Sequence, residues 1–456
     1  MFIENLISSI SDFVWGPPTL ILIVGTGIFL TFRLGFLQFR TLRYALQLAF
    51  SPSKQDHKSK GDISHYQALT TAMAGTIGTG NIVGVATAVV AGGPGAIFWM
   101  WLSALFGMAT KYAEALLAVK YRITNSKGEM SGGPMYYLER GLNAKWLGVL
   151  FAIFGSFAAF GIGNMVQSNS VKDALERSFN IPGWATGLLL TFFIGLVILG
   201  GIKSIGRVTA LFVPVMAFFY IVGGLIIMVM NYEIIPEVMG LIFHDAFTGS
   251  ALGGGVLGTV IRYGVARGVF SNEAGLGSAP IAAAAAKTDY PRRQALVSMT
   301  QVLIDTIIIC SVTGITIVMG GLYKSGDIVG GDLTAASFSL FLGDIGGTIV
   351  TIGIVLFAFS TIIGWSYYGE KCFAYLIHDK AVPYYRVVFV LMVMFGAVQE
   401  LELVWGISDI MNALMSIPNL IGLLGLSGVV AYETKKFIEV AKQEKMVEKQ
   451  VKKATS

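Results

Sequence analysis

The sequence predicts an all-α integral membrane protein with about eleven transmembrane helices, two of them broken at mid-membrane. Three observations carry that reading. Of the 456 residues, 54% are hydrophobic and 13% charged, whereas soluble domains run near 25% charged; the mean hydropathy is +0.70. Apolar runs of about 20 residues, the length that a hydrocarbon core about 30 Å thick demands, recur along the chain. Alternating polar and apolar segments of about ten residues, the mark of a membrane barrel, are absent.

Taken in order, the candidate spans run roughly 14–32, 66–91, 94–119, 147–170, 184–201, 208–230, 251–286, 294–320, 347–377, 384–400 and 403–432. The first follows Met1 to Gly16, which has no basic stretch and includes Glu4 and Asp12, so it is not read as a cleaved signal peptide. Ser51 to His65 and the tail after Tyr432 are the longest polar stretches. The expected organisation is therefore 1–65, an extra N-terminal span with a cytoplasmic amphipathic segment; 66–230 and 231–432, two five-helix repeats; and 433–456, a basic cytoplasmic tail. Of the 32 Lys and Arg, 26 fall in the odd-numbered loops and the tail, and only Lys172, Arg177 and Lys324 on the other side. By the positive-inside rule the N-terminus is outside and the C-terminus cytoplasmic. That bias accounts for the net charge of +5, so no nucleic-acid partner is implied.

The breaks come from glycine and hydroxyl clusters. In the second span, Gly75-Thr76-Ile77-Gly78-Thr79-Gly80-Asn81 starts about nine residues after Tyr66, which at about 1.5 Å per residue puts it near the bilayer centre. In the seventh, Gly268-Val269-Phe270-Ser271-Asn272-Glu273-Ala274-Gly275-Leu276-Gly277 interrupts a long apolar run. Interior glycine weakens a helix by about 1 kcal/mol relative to alanine, and unwound backbone at that depth is tolerated only in a cavity or inside protein. Gly80-x-x-x-Gly84 also fits simple helix packing, but interrupted spans in corresponding halves point to a transporter's binding site. The two breaks fall five apart in span order, in spans two and seven, as two inverted five-helix repeats require, and span one stands outside them.

Two stretches carry a family resemblance. Gly92 to Gly107 (GGPGAIFWMWLSALFG) and Gly264 to Pro280 (GVARGVFSNEAGLGSAP) resemble signatures of the alanine or glycine:cation symporters, the sodium:alanine symporter family. The likeness runs from about Phe13 to Tyr432. It implies a leucine-transporter-like fold and sodium-driven uptake of alanine or glycine across the plasma membrane, with sodium as coupling ion and no organic cofactor. More distantly, Ile77-Gly78-Thr79-Gly80-Asn81 is similar to the first broken core helix of the neurotransmitter:sodium symporters, where such a run binds the substrate carboxylate. Phe270, Ser271 and Gly275-Leu276-Gly277 match the other broken helix, and Ser360-Thr361 the helix that completes a sodium site. Glu273 departs from those relatives, which are uncharged at that position.

On this resemblance the half-helix beginning near Gly80 offers backbone N–H groups to a carboxylate, and carbonyls around Thr76 and Phe270 suit an ammonium. The substrate candidates are Thr76, Gly78, Thr79, Gly80, Asn81, Phe270, Ser271, Asn272 and Trp365, with Asn164 and Gln167, three apart on one face of span four. Phe270 and Trp365 are candidate walls. Sodium is best served by hard oxygens: the carbonyls of Ala74, Ile77 and Phe357 with the hydroxyls of Ser360 and Thr361 make a five-oxygen cage if spans two and nine touch. Ionisable groups inside spans are functional candidates by default; Asp305 and Glu273 either neutralise Arg267 or serve as weaker cation candidates.

Other classes fare worse. Cys310 and Cys372 lie in or beside apolar runs, and the histidines at 57, 65, 244 and 378 show no ligand spacing, which argues against disulfide, thiolate-metal and metal-hydrolase chemistry. No nucleophile and base pair marks an enzyme. A channel prefers rings of like groups from repeated subunits, not two unlike breaks in one chain.

Overall fold

The computed structural model describes residues 2–52, 58–248, 257–399 and 402–437. The basic tail beyond Phe437 and the start of span seven lie outside them. Helix α1 (Phe2–Val14) turns at Gly16 into α2 (Pro17–Arg33), whose proline at the first turn costs no hydrogen bond. Gly35 and Phe36 are both left-handed (φ 64° and 56°) and bend the chain by 84° into α3 (Leu37–Phe50). That helix is the amphipathic segment: Leu37, Gln38, Ala45, Leu48 and Ala49 are buried.

Span two is broken. Helix α4 (His65–Thr76) begins with a capping box between Ser64 and Gln67 and stops at Thr76; one 3₁₀ turn, Thr79–Asn81, leads into α5 (Val83–Gly92). The two halves are bent by 62°. Next comes α6 (Gly95–Lys120), a hairpin of Ile123–Thr124 with Met130–Ser131, and α7 (Pro134–Gly141). Span four is α8 (Lys145–Phe160) and α9 (Val166–Phe179), joined by the π-helical turn Gly161–Met165. It runs nine residues past the sequence expectation, because polar residues after Ser170 form solvent-facing helix until left-handed Asn180 (φ 52°) ends it. Helices α10 (Gly183–Ile198) and α11 (Gly201–Met230) follow, then α12 (Ile235–Thr248).

Span seven is α13 (Leu257–Asn272), a glycine-rich turn, and the single-turn α14 (Pro280–Ala283). Span eight is α15 (Pro291–Val302) and α16 (Ser311–Gly320) with a second π-helical stretch, Leu303–Cys310, between them. After α17 (Gly330–Leu342), the 33-residue α18 (Asp344–Leu376) runs through the centre, followed by α19 (Val382–Val398) and α20 (Glu402–Gly425). Among the described residues seven helices are long and apolar enough to cross a bilayer, and nine if each bent pair is one span. The expected eleven are consistent with this, since α10 and α13 are only 16 residues long.

Exposed Leu211, Phe218, Phe192, Phe193 and Leu391 give α11, α10 and α19 a lipid-facing surface. The broken spans lie inside, where glycine lets backbones meet. A β-carbon on Gly264 would sit 2.5 Å from Ala96 O, and one on Gly364 would sit 2.5 Å from Gly75 N. These contacts seat α13 on α6 and α4 on α18, bringing both breaks to one point.

Candidate substrate and ion site

At that point lies a small cavity. Gly75, Thr76, Gly78 and Gly80 of the first break form one wall and Phe270 and Glu273 of the second another; Ile162, Gln167, Thr361, Trp365 and Asn412 close it. Its free volume is about 20 Å³, room for one water by the usual requirement of about 10 to 15 Å³. Trp365 is held by Gly163, whose missing side chain lets the π turn of span four press against the indole.

Six of the eleven substrate candidates line this cavity: Thr76, Gly78, Gly80, Gln167, Phe270 and Trp365. Five do not. Asn81 turns its amide to Asp305 Oδ1 (2.8 Å) and caps Gly78 N–H through its Oδ1 (2.9 Å). Ser271 donates to Asp305 Oδ2 at 2.9 Å. Asn272 closes the second break, accepting from Ala274 N–H (2.9 Å) and donating to Thr306 Oγ1 (3.0 Å). Asn164 donates to Phe389 O at 2.7 Å, a link between helices. Thr79 meets the site through its backbone, its N–H donating to Gln167 Oε1 at 3.4 Å. Short amides and hydroxyls serve a substrate or a neighbouring helix equally well, and the backbone orientation decides which.

The five oxygens expected to hold sodium converge. Ser360 Oγ lies 2.8 Å from Phe357 O, 3.3 Å from Ile77 O and 3.5 Å from Ala74 O. Thr361 Oγ1 lies 3.0 Å from Phe357 O and 3.3 Å from Ile77 O. Both hydroxyls can turn a lone pair inward by releasing a proton-donating bond to the helix carbonyl. Thr361 also lines the cavity, so the oxygen cluster and the cavity share a side chain.

Neither acidic candidate pairs with Arg267. Asp305, wholly buried in the π stretch of span eight, accepts from Asn81, Ser271 and Thr306, so it knits spans two, seven and eight together. The Arg267 guanidinium instead lies over the Phe270 ring, 5.5 Å from its centroid. Glu273 has left-handed φ of 56° and accepts from Ser278 Oγ at 2.5 Å.

Sequence reasoning missed the groups that satisfy the second break. Lys111 Nζ donates to Glu273 O at 3.0 Å, and Glu114 Oε1 accepts from Gly275 N–H at 3.0 Å and from Asn419 Nδ2 at 2.7 Å. A cation thus meets the carbonyl end of one half-helix and an anion the N–H end of the next, the signs the helix dipoles favour. Both charges are buried, Nζ to Oε2 being 3.8 Å. The signal was an i,i+3 Lys and Glu inside an apolar span. Removing one member of a buried pair typically costs about 3 to 5 kcal/mol, while replacing both is often nearly neutral. Lys111→Met should therefore lower the thermal unfolding temperature of the purified protein sharply, and Lys111→Met with Glu114→Gln should recover part of the loss. A double variant as unstable as the single one would refute the pairing. Asn412 was missed too: a lone amide in an apolar span, 2% exposed, its Oδ1 without a hydrogen-bond partner among the described residues.

The profile of the sodium:alanine symporter family matches residues 1–453. The chain belongs to that family. Among curated relatives, the sodium/alanine symporter AgcS of Methanococcus maripaludis is 60% identical, covering 96% of this chain and 98% of its own. The probable sodium/glutamine symporter GlnT of Bacillus subtilis is 39% identical over 94% and 89%. Among solved structures, MhsT in complex with L-phenylalanine superposes with a TM-score of 0.60 at 14% identity, covering 82% of this chain and 93% of that one; this likeness concerns the fold alone. The family member described here is accordingly a multi-span membrane transporter with a leucine-transporter-like fold and not an enzyme, and sodium is the coupling ion of its family.

Proposed function

We propose that the protein carries alanine, and glycine, into the cell together with sodium, by alternating exposure of the cavity between the two breaks. The observation that carries this reading is the shared peptide of Ile77 and Gly78: the Ile77 carbonyl belongs to the five-oxygen cluster, and Gly78, its N–H held by Asn81 Oδ1, lines the cavity. A sodium ion held by Ala74, Ile77, Phe357, Ser360 and Thr361 fixes that peptide and so orders the surface that receives the carboxylate. The ammonium meets Thr76, Glu273 and Asn412 Oδ1. Such coupling is reciprocal, each ligand raising the other's affinity by the same factor. One charge moving inward across about 100 mV supplies about 2.3 kcal/mol, enough for roughly fiftyfold accumulation. The protein sits in the plasma membrane with its N-terminus outside, residues 66–230 and 231–432 acting as the two repeats.

Sodium-dependent accumulation of radiolabelled alanine in proteoliposomes tests the reading; accumulation indifferent to sodium would overturn it. The cavity also sets size. Because Phe270, Trp365 and Ile162 crowd a cavity that holds one water as it stands, it must widen to admit any amino acid and least for the smallest, so glycine and alanine should compete for uptake and leucine and phenylalanine should fail, with glutamine weaker than alanine. Equal competition by leucine would remove these residues as walls.

A further inference from the structure

The bend after α2 leaves an open groove on the outer face of α3. Helix α2 is span one, and α3, turned 84° from it, therefore lies along the bilayer surface. Gln38 fixes the turn, its Nε2 donating to Thr31 Oγ1 at 2.9 Å and to Leu105 O at 3.2 Å. Opposite the buried face of α3 stand Phe39, Arg43, Leu46 and Phe50, and residues at that spacing form a single stripe on a helix. Together with Leu42 and Gln47 they line a groove of about 720 Å³. Phe39 and Phe50 are about half exposed.

Hydrocarbon and positive charge meet on this stripe. Aromatic rings continue onto it from span one, whose Ile21 and Phe32 are exposed to lipid. The centroids of Phe32 and Phe36 lie 5.1 Å apart, edge to face, and those of Phe36 and Phe39 lie 6.4 Å apart. The exposed Arg43 guanidinium has no hydrogen bond or ion pair among the described residues, and Arg40 beside it reaches Gly35 O at 3.3 Å. No acidic residue occurs between Asp12 and Asp56, so α3 carries no counter-charge of its own. An anionic phospholipid complements both features, phosphate on the guanidinium forks and an acyl chain along Phe39, Leu46 and Phe50. We propose that this groove binds one anionic phospholipid and that its occupancy supports transport. Phe50 carries the effect inward: its ring centroid lies 6.2 Å from that of Tyr66, in the first turn of α4, the half-helix whose far end gives Gly75 and Thr76 to the central cavity.

The test uses the full-length protein. Purified in mild detergent with equal phosphatidylglycerol and phosphatidylcholine, it should retain one phosphatidylglycerol in native mass spectrometry. Each arginine at an anionic surface adds about fivefold in affinity, so Arg40→Gln with Arg43→Gln should bind that lipid about thirtyfold more weakly, and the paired Arg→Lys substitutions should keep most of the binding. Equal retention of the two lipids by the wild type would overturn the site. Retention unchanged by the glutamine substitutions, as residues 438–456 lying in the groove would produce, would overturn it too. Sodium-driven alanine uptake by the wild type should be about threefold or more faster in vesicles containing phosphatidylglycerol than in pure phosphatidylcholine, with the glutamine variant slow in both. Millimolar inorganic phosphate should not replace the lipid. Equal wild-type rates in the two vesicles, or rescue by phosphate, would refute the lipid's part in transport, and lipid retention is read without any transport at all.

Discussion

A Gly78→Val variant should lose alanine binding by more than tenfold, at least about 1.4 kcal/mol, and lose sodium affinity with it. A β-carbon at this position would overlap Thr361 Oγ1 and approach Gln167 Oε1 at 3.4 Å. The branched side chain therefore occupies the carboxylate surface and pushes one hydroxyl away from the five-oxygen cluster. Gly80→Ala provides the graded comparison: its β-carbon would meet Phe270 Cδ1 at 3.3 Å, a contact relieved by a small ring movement, so binding should weaken by only a few-fold. Equilibrium alanine binding over a sodium series measures both. Normal alanine binding by a folded Gly78→Val variant would remove this break from the site.

The second large effect is expected at Ser360. Its hydroxyl reaches Ala74, Ile77 and Phe357 carbonyls but does not line the cavity, so Ser360→Ala should act on the ion alone. The sodium concentration for half-maximal alanine binding should rise about tenfold or more, with most alanine affinity restored at saturating sodium. Thr361→Val should instead weaken alanine binding even in saturating sodium, because Thr361 touches both regions. The double variant should show both defects. Unchanged sodium dependence in all three would move the ion to the oxygens around Asp305.

Spans and breaks were legible because their causes are local. Apolar length marks a helix in lipid, and three glycines with a threonine and an asparagine cannot hold one at mid-depth. The oxygen cluster was expected from the resemblance of Ser360-Thr361 to a sodium-site helix; in the fold Phe357 stands three and four residues before them, so one helical turn assembles three of its five oxygens. What stayed hidden depends on rotation and on distant partners. Asn164 sits inside a π turn, where one extra residue re-aims the side chain from where simple periodicity puts it. Lys111 and Glu114 gain meaning only beside Glu273 and Gly275, some 160 residues away.

The two π-helical stretches have a mechanical consequence. Gly161–Met165 and Leu303–Cys310 lie in spans four and eight, each flanked by regular helix on both sides. A π turn stores one residue more than the α geometry uses, and that surplus can be handed along the helix like a dislocation through a crystal. Each step turns the intervening residue by about 100° while helix on either side keeps its bonds and its length. Spans four and eight can therefore swivel their middles without sliding their ends. The side chains on the swivel are Asn164 and Asp305, the latter joined to Asn81 and Ser271 of the two broken spans.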